Sequence, residues 1–123
     1  RELALATSVL DTDGSPSEAG MVARRNYAAV LLELGETAAA KQELEALAEQ
    51  RGIWSPANAW RMADVDTLRG TVAAAEGRFD EARDFFAGAV EAIEEARGAE
   101  SRYAREARER RQHFEDLTEE TTP

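Results

Sequence analysis

The sequence contains no cysteine, one histidine, three prolines and eight glycines among 123 residues. The lack of cysteine excludes thiol catalysis, disulfide bonds and thiolate metal sites. Proline and glycine are sparse between long stretches of alanine, glutamate, arginine and leucine, which favours a mostly helical protein. No apolar run approaches the roughly 18 residues of a membrane span, and no signal peptide is visible.

Basic residues are also in short supply: 15 stand against 25 acidic residues, so the formal net charge is −10. Such a surface repels phosphate backbones and argues against nucleic-acid binding. The single histidine, His113, falls in a charged segment and is expected at the surface rather than in a catalytic role. The acids are spread as on solvated helix faces, without the burial that acid–base catalysis needs. The sequence therefore predicts no catalytic residue, no cofactor and no metal site.

What the chain does contain is an internal repeat. One spacing, G-x4-A-x3-F-x2-A, occurs twice with an offset of 42 residues. The copy nearer the N-terminus has leucine at both of the last two positions. The eight positions are Gly77, Ala82, Phe86 and Ala89 in one copy, and Gly35, Ala40, Leu44 and Leu47 in the other. The preceding segments align at the same offset, with Ala28 over Gly70 and Val30 over Val72.

Each position in the pattern has a physical reason. Ala28 and Gly70 are small and allow two antiparallel helices to approach closely. Gly35 and Gly77 are expected to end the first helix of each pair, because glycine accepts the left-handed conformation at a C-cap. The alanine, the large apolar residue and the last apolar residue then fall at i, i+4 and i+7, on one face of the second helix. The pattern predicts two helical hairpins whose cores are built from residues at equivalent positions.

This spacing resembles the tetratricopeptide repeat, a helix–turn–helix unit that stacks into a superhelix. The usual period is 34 residues, and here it is 42. Eight additional residues would add about 12 Å if fully helical, which fits longer helices and a longer loop. The expected fold is all-α, with antiparallel hairpins stacked as a short superhelix.

The repeat also predicts the organisation of the chain. Leu5 falls at the Leu47 position, so the opening segment RELALATSVL is expected to be the end of a truncated repeat. The predicted parts are a truncated repeat at 1–13, full repeats at 14–52 and 53–97, a capping helix at 98–118 and a frayed tail at 119–123. The chain is expected to be part of a longer protein.

Helix starts are marked by capping residues. Ser15 as N-cap, Pro16 at the first helical position and Glu18 as the capping-box acid predict the first start. Ser55 and Pro56 mark the second. Helices are expected over about 16–34, 37–51, 56–76, 79–97 and 100–117.

A narrower resemblance concerns the second half, which is similar to the C-terminal repeats of certain bacterial serine/threonine protein kinases. The matching positions are Trp60, Arg61, Gly98, Arg105, Glu106 and Ala107. Nothing in the chain resembles a kinase domain, so a kinase would lie N-terminal to it. The resemblance leaves the location open: cytoplasmic by default, and extracytoplasmic if the parent protein spans a membrane before the repeats.

The resemblance to the tetratricopeptide repeat implies that the first helix of each pair lines a concave groove for a peptide or partner protein. The groove positions it implies are Val22, Arg25, Asn26, Ala29 and Leu32 in the first repeat, and Asp64, Thr67, Leu68 and Thr71 in the second. Asn26 matches a groove asparagine whose amide can donate and accept hydrogen bonds at once. Leu68 is the counterpart of Asn26 in the second repeat, so the row of groove asparagines does not continue there. Family members that bind the C-terminal carboxylate of a peptide need an asparagine at the position of Ala29, so binding of a C-terminal carboxylate is not expected.

Two other features offer alternatives. Trp54 and Trp60 flank the second connector, and either pack internally or form an exposed aromatic contact. Residues 97–111 carry six arginines against three glutamates, which gives either a solvated cap or a strip, including Arg105 and Arg108, for an acidic partner.

The predicted function is therefore protein–protein interaction, with no direct membrane contact and no chemistry in this chain. The alternative is a self-association module. The truncated end would leave Leu3, Leu5, Val9 and Leu10 exposed on one side, which predicts a homodimer through the N-terminal edge.

Overall fold

The computed structural model describes residues 17–121, and every regular element in that range is helical. The α-helices are α1 Glu18–Glu33, α2 Thr37–Glu49, α3 Trp60–Ala75, α4 Phe79–Phe86, α5 Ala89–Arg97 and α6 Arg102–Thr121. Two short 3-10 turns, Arg51–Ile53 and Pro56–Asn58, lie between α2 and α3. The chain divides into two compact units: unit 1 ends at Asn58 and unit 2 begins at Ala59.

Both predicted glycine turns are present and have the same geometry. Gly35 and Gly77 each have φ 78°. The Glu36 N–H donates to the Leu31 carbonyl at 2.8 Å, and the Arg78 N–H donates to the Ala73 carbonyl at 2.8 Å. A second bond in each turn runs from the glycine N–H to the third residue before it, at 3.1 Å in both. These are the two bonds of a Schellman motif, which satisfies carbonyls at the end of a helix.

The helices on either side of each turn pack as a hairpin. In unit 1, Arg24 of α1 lies 3.2 Å from Glu43 of α2, residues that lie on either side of Gly35 as an antiparallel pair requires. The core positions predicted from the repeat are buried in both hairpins. These are Ala28, Ala40, Leu44 and Leu47 in unit 1 and Gly70, Ala82, Phe86 and Ala89 in unit 2.

The start of α1 differs from the prediction. Ser17, not Ser15, is the N-cap, and its hydroxyl accepts from the Gly20 N–H at 3.0 Å. Glu18 is therefore the first helical residue, and the predicted capping residues Ser15 and Pro16 lie outside the described residues. Its carboxylate accepts instead from the connector, from the Ser55 N–H at 3.2 Å and from Asn58 Nδ2 at 2.8 Å. Pro56–Asn58 is a 3-10 turn there, so α3 begins at Trp60 rather than near Pro56.

The largest departure is a break in the helix predicted over 79–97. The helix stops after Phe86, Ala87 is extended, and Gly88 takes a left-handed φ of 75° before α5 begins. Glycine is costly in a helix interior, by about 1 kcal/mol relative to alanine, so it is a favourable place for a break. The two halves then fill separate clusters: Phe86 packs with Phe114, while Val90 and Ile93 pack with the start of α6. The prediction of one continuous helix is wrong.

Within unit 2, α3 packs against all three of the other helices. The close approach of α3 and α4 occurs at Gly70. A Cβ built there would lie 2.7 Å from Phe86 Cε2, closer than any normal contact. The absence of a side chain at Gly70 therefore makes room for the Phe86 ring, which also stacks on Phe114 at 5.4 Å between centroids.

Gly70→Ala should consequently destabilise the protein by about 1–3 kcal/mol, as overpacking does. Urea unfolding measures the change. Leu44 is the residue equivalent to Phe86 in unit 1, so Phe86→Leu gives unit 2 the smaller side chain of that position. The double variant Gly70→Ala/Phe86→Leu should therefore lose less stability than the sum of the two single variants. Gly52→Ala is the matched control, because a Cβ at Gly52 meets nothing within 4 Å. Equal urea midpoints for Gly70→Ala and wild type would contradict the close packing of Phe86 against Gly70.

Candidate functional site

The five predicted groove positions on α1 do not form a uniform open surface. Asn26 is exposed and Val22, Ala29 and Leu32 are half-buried, but Arg25 is only 4% exposed. The Arg25 side chain turns towards its neighbour, and its Nη1 donates to Asn26 Oδ1 at 3.1 Å. The expectation that Arg25 is an open groove contact is therefore wrong.

The structure adds two exposed apolar residues to this face. Val30 is 41% exposed and Leu34 is 62% exposed, the large apolar side chains most open to solvent in the described range. Together with Val22 and Asn26 they are spaced by four residues, so they follow one row along the helix surface. We call Val22, Asn26, Val30 and Leu34 the α1 row. The i, i+4 spacing from Asn26 is the sequence signal that could have identified Val30 and Leu34.

The predicted groove positions on α3 are closed. Asp64 and Thr67 are 0% exposed and Leu68 is 2% exposed, while Thr71 is half-buried. Helix α6 packs on α3, with Ala104 and Ala107 fully buried near this contact. An open surface at Asp64, Thr67 and Leu68 was therefore a wrong expectation, since the chain's own last helix covers α3.

A polar contact accompanies this packing. Arg110 of α6 lies with Nη1 3.7 Å from Asp64 Oδ1 and donates to Thr67 Oγ1 at 3.1 Å. Thr67 in turn donates to the Asp64 carbonyl at 2.8 Å. Burial of a carboxylate is costly unless the group is paired or hydrogen-bonded. Arg110 supplies a positive charge beside the buried Asp64 carboxylate. Arg110 was not among the predicted site residues, because nothing in its helical pattern identifies which element it contacts.

The arginines of α6 are largely paired within unit 2. Ion pairs join Arg102 to Glu106 at 3.1 Å, Arg108 to Glu94 at 2.7 Å and Arg111 to Glu91 at 3.0 Å. Of the two arginines predicted to form a docking strip, Arg108 thus has an internal partner and is half-buried. Arg105 is exposed and forms no ion pair within residues 17–121. The local positive charge expected from the sequence is therefore mostly neutralised by the fold.

Both tryptophans are buried, Trp54 at 9% and Trp60 at 6% exposure. The alternative of an exposed aromatic contact is therefore wrong, since both side chains are enclosed by the fold. His113 is exposed on α6, as expected. In the described range, no group of three acidic or histidine side chains is placed to hold a metal ion. No described helix has both the length and the apolarity needed to cross a membrane.

A cavity of about 360 Å³ lies at the break between α4 and α5. Its apolar side is formed by the stacked rings of Phe86 and Phe114, and its polar side by two arginines and two glutamates. The lining residues are Arg83, Phe86, Ala87, Gly88, Glu91, Arg111, Phe114, Glu115 and Thr118. The four charges of the lining balance, so the cavity has no strong preference for a cation or an anion.

The surroundings of Glu91, at the edge of the cavity, favour its ionised form. Its own backbone N–H, in the first turn of α5, and then the Arg111 guanidinium lower the pKa of the Glu91 carboxyl from the ordinary 4.5. A hydrogen bond to the charged form favours ionisation, which explains the direction.

Comparison with protein-family models, with curated proteins and with solved structures returns no match.

Arg110→Met should lower the free energy of unfolding by about 1–3 kcal/mol, because it removes a partner from buried polar groups. Urea denaturation at neutral pH measures the loss. Arg105→Met on the same helix is the control, and as an exposed, unpaired position it should change stability by no more than about 0.5 kcal/mol. Similar midpoints for both variants would show that the Arg110 contact with Asp64 and Thr67 contributes nothing.

Glu91→Gln should destabilise the protein above the ordinary glutamate pKa of 4.5, and the difference should vanish as pH falls through the lowered folded value. The side chain is 63% exposed. The effect should consequently stay below about 1 kcal/mol. Unfolding curves over a pH series provide the measurement. In an Arg111→Met background the effect should shrink, and an unchanged effect there would exclude the ion pair as a cause.

Proposed function

We propose that this chain is a protein-interaction module made of tetratricopeptide-type hairpins, and that its partner-binding surface is the α1 row. Three features support the hairpin type: matching Schellman turns at Gly35 and Gly77, small residues at the helix contacts, and the 42-residue offset that relates them. The break at Gly88 departs from the two-helix unit of that repeat, so the proposal rests on the first helices and their turns.

The observation that carries the site is the contrast in exposure between equivalent faces of α1 and α3. On α3, Asp64, Thr67 and Leu68 are buried, and Asp64 and Thr67 contact Arg110 of α6. On α1, the exposed Asn26 lies between apolar side chains, and Leu34 is 62% exposed. Folding normally covers most large apolar side chains, and clustered exceptions mark interaction sites.

The chemistry of the row indicates what it binds. Leu34 is the C-cap of α1 and lies twelve positions after Val22, a rise of about 18 Å at 1.5 Å per residue. An extended segment of about five residues covers that length. Asn26 Oδ1 already accepts from Arg25, and Nδ2 makes no hydrogen bond within the described residues. A bound segment would therefore place apolar side chains against Val30 and Leu34 and a backbone carbonyl at Asn26 Nδ2.

Such a site should bind weakly. One hydrogen bond contributes about 0.5–1.5 kcal/mol net, and the partly exposed apolar side chains contribute a few kcal/mol together. The association entropy opposes both, so the expected affinity is micromolar, with contributions spread over several contacts.

The test begins with selection of short peptides on the full chain from a random display library. Selected peptides are then titrated against wild type, Leu34→Ser and Asn26→Ala. Both variants should weaken binding about two- to tenfold, as expected for losing one modest contact. Leu34→Ser is the cleaner variant, because Asn26 also accepts from Arg25, so unfolding midpoints are measured for each.

Arg105→Ala and Arg108→Ala are the matched controls on α6. If they abolish binding while Leu34→Ser and Asn26→Ala leave it unchanged, the α1 row is not the site. Sedimentation over a hundredfold concentration range tests the alternative function. A concentration-dependent mass that reverts in Leu34→Ser would make the same row a self-association surface. The predicted dimer contact through residues 1–10 lies outside the described residues and stays a prediction.

A further inference from the structure

A second surface lies where α3 begins, α5 ends and α6 begins. Three arginines from these three helices surround two aromatic rings, Trp60 and Tyr103, whose centroids are 5.0 Å apart. Arg61 Cζ lies 4.5 Å from the Trp60 centroid and 5.6 Å from that of Tyr103. Arg97 lies 5.0 Å from the Trp60 ring, and Arg102 lies 5.8 Å from the Tyr103 ring. We call these five residues the arginine–aromatic cluster.

The cluster is positive in a chain whose net charge is −10. Arg97 is exposed and forms no ion pair within the described part of the chain, so its charge is balanced only by the face of Trp60. Arg102 pairs with Glu106 at 3.1 Å but its side chain is 69% exposed. Glu100, in the turn before α6, is an exposed acid near the cluster in sequence. Arg97 thus keeps an unpaired guanidinium within the described residues, and Arg102 has an exposed ion pair that a second carboxylate can join.

Contact with the aromatic rings orients the arginine side chains and restricts their motion before a ligand binds. A guanidinium that rests on an aromatic face uses that face for cation–π attraction and keeps its in-plane N–H donors available for a carboxylate. Contact with a ring also restricts the arginine side chain before binding, which reduces the entropy lost when a ligand arrives. Arg97 therefore differs from Arg108 and Arg111 of α6, whose donors already bind glutamates.

Trp60 provides a reporter for the cluster. Its side chain is 6% exposed, and the guanidiniums of Arg61 and Arg97 lie over its ring. A ligand that draws either guanidinium towards a carboxylate therefore changes the surroundings of the indole N–H.

We infer that the arginine–aromatic cluster is a docking surface for an acidic segment of a partner protein, separate from the α1 row. Carboxylates would pair with Arg97 and Arg102, and an apolar side chain of the segment would contact the exposed part of Tyr103. Nucleic acid is a poorer fit, because its binding depends on neutralisation of many phosphates and the cluster offers only three guanidiniums. The inference does not rest on the function proposed for α1.

The experiment uses the full chain and a fluorescently labelled peptide of ten glutamates, with a ten-glutamine peptide as the neutral probe. The glutamate peptide should bind at low salt and weaken as salt rises, because exposed charges are screened within about 10 Å at 0.1 M. The glutamine peptide should not bind. Arg97→Ala should weaken binding of the glutamate peptide about three- to fivefold, which corresponds to one partly exposed ion pair.

Arg83→Ala is the matched control, because Arg83 is also an exposed arginine near an aromatic ring, 5.7 Å from the Phe114 centroid. It should leave the affinity unchanged. Arg97→Lys keeps the charge and should give an intermediate loss, since an ammonium lacks the bidentate geometry. This variant keeps the test decisive if Arg97→Ala lowers stability.

The two indole N–H signals in a nitrogen–proton spectrum locate the bound peptide. Trp60 should shift on titration and Trp54 should not, with assignment by Trp54→Phe. Equal losses in Arg97→Ala and Arg83→Ala, or an unshifted Trp60 signal, would overturn the inference. Equal competition by single-stranded DNA of the same charge would overturn it too, because the surface would then bind anions without preference for an acidic protein segment.

Discussion

The missing side chain at Gly70 determines much of what unit 2 presents to solvent. Because no Cβ is present, the Phe86 ring lies directly against α3. Phe86 stacks on Phe114 of α6, so the position of the ring helps to place the last helix. With α6 on α3, Asp64 and Thr67 are enclosed and bonded to Arg110. A face that would form an open groove in a simple hairpin is thereby converted into core.

The electrostatics follow from the same packing. A helix with many arginines suggests an exposed basic strip when it is considered alone. Once α6 lies beside α5, Arg108 and Arg111 reach Glu94 and Glu91, and most of its charge is neutralised. Positive charge remains where arginines contact rings instead of carboxylates, as Arg97 does on Trp60. The proposed docking surface therefore depends on which charges the fold leaves unpaired rather than on the number of charges.

The hairpin turns and their core were predictable from the sequence because they depend on local chemistry. Gly35 and Gly77 end helices since glycine alone accepts the left-handed conformation easily, and the small and large residues around them keep helical spacing. The glycine at position 88 is compatible with a helix break, but glycine also occurs inside helices, so its presence alone did not predict the break. Only the need to fill two separate clusters, one around Phe86 and one around Ile93, decides that the helix ends there.

The candidate sites were less predictable, because exposure is a property of the packed molecule. The sequence by itself determined the helical class, the position of the glycine turns, the buried Leu44 and Phe86, and the exposed Asn26. The tertiary structure alone decided that Arg25, Asp64 and Thr67 are enclosed, and that Leu34 and Arg97 are not. Helical spacing shows which residues share a face, whereas the element that covers a face is chosen by contacts between residues distant in the chain.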